Sequence, residues 1–316
     1  MDMVLTSRCF SGSNRMAVLL TIGMFCLAIA GDGREAGPKV VRAKTDQELL
    51  DWIEEHPDAT EIALRENRRI SPEALQRLVD LNGLEALDVG LTNLNDETME
   101  FIGRLSNLKY LVISATYVTN KGFSHISSLK KLESLYAQQL NIDSRALRTL
   151  SRMKNLSQLH LGGSTRCVGP GLRSLPASVE GLTLGRTPLS DEDMKFIAHL
   201  DLKMLLINGT KVTDRGLRQL REMDSLVILD LSGCRVSRDG VADLLQALPR
   251  LRKFWFTDTL VGKDDAKLLK EKYPKIHRAP GWGPGDTSED LPVPPKNSNR
   301  SKNERSEAES DRETPE

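Results

Sequence analysis

The sequence has no surplus of charge of either sign and only a few aromatic residues. Its 316 residues include 44 Lys or Arg and 44 Asp or Glu, so the formal net charge is zero. A protein that follows the phosphates of a nucleic acid normally carries a basic excess, so we expect no nucleic-acid partner. Aromatic residues make up only 4% of the chain, against 39% hydrophobic residues in all. The core must therefore be mostly aliphatic.

The four cysteines do not form a disulfide framework. Cys9 and Cys26 lie in the N-terminal leader, whereas Cys167 and Cys234 lie three repeats apart in the array described below. If neighbouring strands are about 4.8 Å apart, the second pair is separated by roughly 14 Å, which is too far for a disulfide. We expect Cys234 to pack as a small buried group and Cys167 to be exposed.

Motifs that would indicate catalysis or cofactor binding are missing. The sequence has no nucleophile elbow, Walker loop or dinucleotide fingerprint, and its five histidines do not pair at metal-ligand spacing. Carboxylate runs such as 191–193 fall in first helical turns, where negative charge suits the helix dipole. We predict that the protein is not an enzyme and uses no metal and no cofactor. An enzyme would need a site assembled entirely by spatial convergence.

The N-terminal segment is typical of an export signal. Two arginines precede an uncharged run over residues 16–30, and Ala28 and Ala30 place small residues where signal peptidase reads. The run is shorter than the about 20 residues of a membrane span. We predict a signal peptide over residues 1–30 and a protein of the periplasm, the cell surface or the extracellular space. The alternative is an uncleaved segment that anchors the protein to a membrane.

Three further segments lie outside the main array. Residues 31–44 are polar and contain glycine, and we interpret them as a flexible linker. Residues 45–58 begin with the capping-box spacing of Thr45 and Glu48 and predict a helix that caps the array. Residues 279–316 are rich in proline, serine and charge without apolar periodicity, which predicts a disordered polar tail.

A unit of 23 to 25 residues recurs over residues 59–278. Each unit starts with an apolar residue and has further apolar residues three and five positions later, as in Leu226, Leu229 and Leu231. This alternation predicts a short strand with one buried face. Another apolar anchor follows ten residues after most starts, and then a helix start with a capping residue such as Thr213. No unit can bury its own apolar side, so the units must stack.

One unit departs from this pattern. Residues 156–177 contain the sequence Gly169-Pro170-Gly171, which is unfavourable for a helix. We expect the convex side to be irregular there. The irregularity is either a tolerated degenerate repeat or a hinge or partner contact.

The repeats resemble those of leucine-rich repeat proteins. The stretch 210–217, TKVTDRGL, is similar to the cysteine-containing subclass found in F-box substrate receptors and ribonuclease-inhibitor-like proteins, and to repeats of exported bacterial leucine-rich repeat proteins. Cys234 occupies the position that gives this subclass its name, while other units carry threonine there, for example Thr210. The resemblance implies an α/β fold: a right-handed solenoid, or horseshoe, of about nine repeats. Its parallel sheet would form the concave face and its short helices the convex face.

The residues between the strand anchors predict the surface that the sheet presents. Because strand side chains alternate, the positions two and four after each unit start should face the concave side. Eight of them are aromatic, apolar or histidine: Tyr110, Val112, Tyr136, His160, Met204, Leu206, Ile228 and Trp255. Such residues are enriched in the cores of interfaces, so we predict a partner-binding patch. The alternatives are that these side chains pack on one another, or that β-propensity selected them.

The resemblance implies protein binding as the activity. We expect a scaffold that binds a protein of unknown identity on its concave face, is exported, is a monomer and contacts a membrane only if the leader is retained. One alternative is an F-box-like adaptor of a ubiquitin ligase, but residues 1–44 lack the helical adaptor-binding module. The other is an enzyme inhibitor of the ribonuclease-inhibitor-like kind.

Overall fold

The computed structural model describes residues 41–166 and 168–274. The predicted signal peptide, most of the predicted linker, Cys167 and the predicted polar tail lie outside these residues. In the part of the chain that the structure describes, no helix has both the length and the apolar content needed to cross a membrane.

Within the described residues, nine short strands form one parallel sheet and follow one another in sequence order. Each strand has three residues and belongs to one predicted repeat. The strands are β1 (Glu61–Ala63), β2 (Ala86–Asp88), β3 (Tyr110–Val112), β4 (Ser134–Tyr136), β5 (Gln158–His160), β6 (Gly181–Thr183), β7 (Met204–Leu206), β8 (Ile228–Asp230) and β9 (Lys253–Trp255). The predicted α/β leucine-rich-repeat solenoid is confirmed.

Among the described residues, a helical segment follows every strand, and one helix precedes the first strand. The α-helices are α1 (Asp46–Glu55), α2 (Pro72–Gln76), α3 (Asp96–Ile102), α4 (Asn120–Phe123), α5 (Asp191–Met194), α6 (Asp214–Leu217), α7 (Arg238–Ala247) and α8 (Lys263–Lys272). Tighter 3-10 helices cover Arg77–Asp80, Ser124–Ser128, Ala146–Arg152, Pro170–Ser174 and Arg218–Leu220. Apolar residues of the strands and of these helical segments share one core.

The sheet register places equivalent residues of successive repeats side by side. Leu111 pairs with Leu87 on one side and with Leu135 on the other, and all three are fully buried. Burying a leucine contributes about 1.5–3 kcal/mol. Because the central residues of all nine strands join the same core, stacking stabilises the array at every step.

A threonine hydroxyl closes the turn after most strands. The Oγ1 atoms of Thr92 and Thr210 donate to the carbonyls three residues before them, at 2.7 and 2.8 Å. Cys234 occupies the equivalent position, with its Sγ 3.4 Å from Thr210 Oγ1. Burial raises the pKa of the Cys234 thiol. Cys234 is thus a small buried group, as predicted, and its environment disfavours a reactive thiolate.

The residue just before the position of Thr92, Thr210 and Cys234 has a left-handed backbone in every described repeat. Nine residues with positive φ occupy this position: Glu66, Leu91, Ala115, Gln139, Gly163, Arg186, Gly209, Gly233 and Asp258. Six are not glycine, and each such residue costs roughly 1 kcal/mol. Bonds between repeats hold the conformation: the Leu91 N–H, for example, donates to the Ser114 carbonyl at 2.9 Å.

Acidic residues link the helix starts of successive repeats. Asp96 accepts hydrogen bonds from the backbone N–H and the hydroxyl of Thr119, at 2.7 and 2.6 Å, and from the Gly122 N–H at 3.0 Å. Asp191 makes the same three contacts with Thr213 and Gly216. A Cβ on Gly122 would overlap the Asp96 carboxylate. The recurring glycine therefore makes room for the carboxylate of the preceding repeat.

Helix α1 covers the N-terminal side of the array. Thr45 caps it by accepting a hydrogen bond from the Glu48 N–H at 3.2 Å. The Glu48 carboxylate accepts from Lys44 N–H at 2.6 Å, rather than from the Thr45 N–H that a capping box requires. Leu49 and Ile53 join the core, so α1 shields the first repeat from water.

The repeat over residues 156–177 has no α-helix. Its convex segment is the 3-10 helix Pro170–Ser174, and the preceding Gly169 has φ +88°. Leu172 is nevertheless fully buried, so the segment still supplies a core anchor. The preceding repeat also has only a 3-10 helix, Ala146–Arg152, which its sequence did not predict.

Candidate protein-binding surface

The first and third residues of the strands form one face of the sheet, which we call the sheet face. The strand register pairs Tyr110 with Ser134 and Gln158 in a first row, and Val112 with Tyr136 and His160 in a second row. All eight predicted site residues occupy one of these two rows. Their placement on a common face therefore follows the sequence prediction.

The part of the sheet face on β3–β5 is built from stacked rings, and we call Tyr110, Tyr136 and His160 the aromatic half. The Tyr110 and Tyr136 rings are tilted, with centroids 5.1 Å apart. The Tyr136 and His160 rings are stacked, with centroids 4.2 Å apart. Ring pairs of this kind contribute about 0.5–1.5 kcal/mol beyond their buried area.

His160 is a buried titratable group within this half. Its side chain is only 3% exposed, and its Nδ1 lies 3.0 Å from Thr183 Oγ1 on the next strand. Burial lowers the pKa of His160 to about 3. The imidazole is therefore neutral at physiological pH, which is compatible with its stacking on Tyr136.

The part of the sheet face on β7–β9 is held together by apolar packing. Met204, Ile228 and Trp255 form a buried cluster, and partly buried Leu206 and Val227 pack against it. We call Met204, Leu206, Ile228 and Trp255 the apolar half. Trp255 is only 7% exposed although β9 is the last strand of the described sheet.

The sheet face is less accessible than alternation alone predicted. Of the eight predicted residues, seven are buried and only Leu206 is partly exposed. The rings stack on one another and the apolar side chains cluster, which is one of the alternatives that the sequence left open. A role in partner binding stays a prediction, and Leu206 is the predicted residue that a partner reaches most directly.

Two side chains on the sheet side hold buried donors that lack acceptors. The Arg65 side chain is 15% exposed; its Nε lies 3.9 Å from Glu66 Oε1, beyond hydrogen-bond distance. Neither Nε nor Nη2 of Arg65, nor Nε1 of Trp255, has a hydrogen-bond partner. A buried donor without an acceptor costs about 1–3 kcal/mol, and more if it is charged. Alternation places Arg65 on the sheet face two residues beyond β1, a position that the sequence prediction did not include.

Ion pairs line the edge where the strands begin. Lys109 Nζ lies 2.9 Å from Glu85 Oε1, and Lys203 Nζ lies 2.8 Å from Glu180 Oε1. Both pairs are substantially exposed, so each contributes about 1 kcal/mol or less. They form a polar rim beside the aromatic half and the apolar half, as at many protein interfaces.

Comparisons with known proteins give a fold likeness only. No family model matches the sequence, and no curated protein matches it significantly. An internalin of Listeria monocytogenes is 17% identical, covers 80% of this chain and 86% of its own length, and has a TM-score of 0.44. Internalin C2 of the same organism is 18% identical, covers 76% and 92%, and has a TM-score of 0.48. At these values the likeness says nothing about what this chain binds.

The described residues also show little that resembles a small-molecule site. Within residues 41–166 and 168–274, no group of three His, Cys, Asp or Glu side chains is arranged to hold a metal ion. A depression between α6 and α7, lined in part by Leu217 and Leu244, has a volume of about 150 Å³. Small-molecule pockets usually measure about 300–1,000 Å³.

Proposed function

We propose that this chain is a non-enzymatic scaffold that binds another protein through its sheet face after export. The observation that carries the proposal is the distribution of side chains in the second row. There, Tyr136, His160, Leu206 and Trp255 occupy positions for which polar residues would suffice if nothing bound. Aromatic and large apolar residues are enriched at the centres of protein interfaces.

The unpaired donors support the same surface. Arg65 and Trp255 lie at opposite ends of the described sheet and each holds a buried donor without an acceptor. A bound polypeptide supplies carbonyl and carboxylate oxygens, and these would satisfy both donors once the side chains that cover them shift. Arginine and tryptophan are also the residues most often found at binding hot spots.

The test is a pair of matched leucine substitutions. Leu206 is partly exposed on the sheet face, whereas Leu268 is 56% exposed on α8, on the helix side. We expect Leu206→Arg to abolish recovery of the partner in a crosslinking pull-down from the native source. Leu268→Arg introduces the same charge and should leave recovery unchanged.

Tyr136 offers a second substitution in the aromatic half. A charge at this buried position is expected to weaken partner recovery, but it also disturbs the ring stack. Circular dichroism must therefore show a folded Tyr136→Glu variant before its binding is compared. Unchanged recovery with both Leu206→Arg and a folded Tyr136→Glu would contradict the proposal.

Export is tested separately at the N-terminus. The predicted signal peptide over residues 1–30 implies a mature protein that begins near Gly31. We expect mass spectrometry of the protein from its native source to find that N-terminus in an extracytoplasmic fraction. An intact leader on cytosolic protein would refute export without bearing on the sheet face.

A further inference from the structure

Charge is distributed unevenly along this neutral chain. Residues 41–120 contain 15 Asp or Glu but only 8 Lys or Arg, whereas residues 121–221 contain 16 Lys or Arg and only 8 Asp or Glu. The zero net charge therefore conceals an acidic first part of the array and a basic middle part. A strongly charged middle suggests a second surface, distinct from the sheet face.

Four basic residues occupy equivalent positions on the helix side of successive repeats. We call Arg148, Arg173, Lys195 and Arg218 the basic row, and all four are exposed. Each directly follows a buried anchor of its repeat, namely Leu147, Leu172, Met194 or Leu217. The common anchor position gives the four side chains a common direction. In the repeats on either side of the row the equivalent residues are Ser124 and Ala242, so the continuous row ends there, although the last repeat carries Lys267 at this position.

Local contacts hold two members of the row together. The Arg173 guanidinium carbon lies 4.8 Å from the centroid of the Phe196 ring, and Lys195 Nζ lies 5.2 Å from the same centroid. Both cations therefore lie at one aromatic ring, although like charges repel. An anionic ligand placed there would relieve that repulsion.

The nearby carboxylates do not neutralise the arginines of the row. Asp143 forms ion pairs with two other arginines: its Oδ2 lies 2.7 Å from Arg145 Nη2 and 3.8 Å from Arg166 Nη2. Glu192 is shared between Lys195, at 3.9 Å, and Arg215, at 2.8 Å. Among the described residues, no ion pair involves Arg148, Arg173 or Arg218. Three guanidinium groups on one side of the array are thus available for an anionic partner.

We propose that the basic row binds an acidic segment of a partner protein. Guanidinium groups form paired hydrogen bonds with carboxylates, which favours arginine at such contacts. The row is interrupted by carboxylates such as Glu192, which would repel the closely spaced phosphates of a nucleic acid or a lipid surface. A polypeptide can instead place its carboxylates opposite the arginines and neutral residues opposite Glu192.

Fluorescence anisotropy with labelled probes tests the proposal on the exported form of the chain. The main probe is a peptide of alternating glutamate and serine, and its control carries glutamine in place of glutamate. We expect the glutamate peptide to bind, with an affinity that falls as salt screens the charges, and the glutamine peptide not to bind. The double variant Arg148→Glu/Arg173→Glu should bind the glutamate peptide roughly tenfold more weakly.

The matched control reverses the same number of charges elsewhere in the middle part. Lys130 and Lys154 are exposed but lie outside the basic row. Lys130→Glu/Lys154→Glu should change the affinity by no more than about twofold, since exposed charges away from the contact act weakly. The neutral variant Arg148→Gln/Arg173→Gln should also weaken binding, which separates loss of contact from added repulsion.

Three results would overturn the proposal. One is failure of the glutamate peptide to bind, and another is an equal loss of affinity in the row variant and its matched control. The third is tighter, row-dependent binding of an oligothymidylate or of phosphatidylserine vesicles, which would assign the row to phosphate groups. Because Leu206 lies on the sheet face, none of these results bears on the pull-down that tests that face.

Discussion

The aromatic and apolar halves of the sheet face are both largely buried, but different contacts hold them together. Ring stacking and the His160–Thr183 contact join the aromatic half. Aliphatic packing around one indole joins the apolar half. In the sequence both halves appear as one class of non-polar positions. Similar burial therefore does not mean that the same interactions stabilise the two halves. The stability of each half should respond differently to substitution and to pH.

His160 in the aromatic half and Asp230 beside the apolar half have opposite effects on stability when the pH falls. Burial lowers the pKa of His160 to about 3, so protonation disfavours the folded state and acidification lowers stability. Asp230 lies on β8 beside the apolar half. There, burial raises the pKa of its carboxyl despite hydrogen bonds from Ser232, so ionisation disfavours the folded state. Acidification should therefore relieve the cost at Asp230 while it adds a cost at His160.

The largest change in the free energy of unfolding is expected when the Trp255 indole in the apolar half is truncated. Trp255→Ala should lower the free energy of unfolding by about 3–5 kcal/mol, because it leaves a cavity beside Met204 and Ile228. Urea denaturation measures the loss, and Trp255→Phe, which keeps most of the volume, should lose much less. Equal, small losses for both variants would mean that the indole does not hold this half together.

The next largest effect is the loss of stability that His160 in the aromatic half causes when the pH falls. The pKa of His160 is about 3 in the folded protein, against about 6.5 for an unfolded histidine. The unfolded state therefore binds more protons between these values, and stability from this group falls by up to about 1.4 kcal/mol per pH unit on acidification. Denaturation midpoints of wild type and His160→Gln measured from pH 7 to pH 4.5 check this, since the variant should lack the slope. Parallel curves would contradict the assignment.

A smaller change in stability, and one of opposite sign, is expected from Asp230 beside the apolar half. Asp230→Asn removes a buried charge while its side-chain oxygen can still accept from the Ser232 N–H, which lies 2.9 Å from Oδ1. The variant should be more stable by about 1 kcal/mol at pH 7, and this gain should vanish as the wild-type carboxyl becomes protonated. Thermal denaturation at pH 7 and near pH 4 tests both parts. A destabilised variant at pH 7 would show that the charge is favourable in the fold.

The smallest effect is the coupling between the stacked rings. A double-mutant cycle with Tyr136→Leu and His160→Leu should give a coupling of about 0.5–1.5 kcal/mol, because these rings stack at 4.2 Å. A matched cycle between Tyr136 and Ile228, which lie on β4 and β8, serves as the control and should give additive changes. Coupling of the same size in both cycles would remove the distinction between the halves.

The solenoid was predictable because its signals are repeated. A unit of 23 to 25 residues occurs about nine times, so weak signals such as single leucines or the capping threonine at 213 reinforce one another. The helix lengths were not predictable in the same way. Residues 146–152 have helical spacing but form a 3-10 helix, and the apolar pattern over two short turns does not distinguish this helix from an α-helix.

The face that the candidate residues occupy was predictable, but their accessibility was not. Alternation along a strand decides which face a side chain occupies, and it placed His160 and Trp255 correctly on the sheet face. Burial depends on what the neighbouring strands contribute, and Tyr136 covers His160 in a way that the spacing alone does not reveal. Arg65 was missed because it lies beyond the three-residue strand. Extending the alternation by two residues would have found it.

Site-specific photocrosslinking tests most directly whether the sheet face binds a protein. A benzophenone amino acid placed at Leu206, at Ser134 and at Leu268 samples the apolar half, a partly buried position beside the aromatic half, and the helix side, respectively. If the sheet face is the binding surface, illumination in the native source yields the same partner adduct from Leu206 and Ser134 and none from Leu268. An adduct from Leu268, with none from the two sheet-face positions, would contradict it.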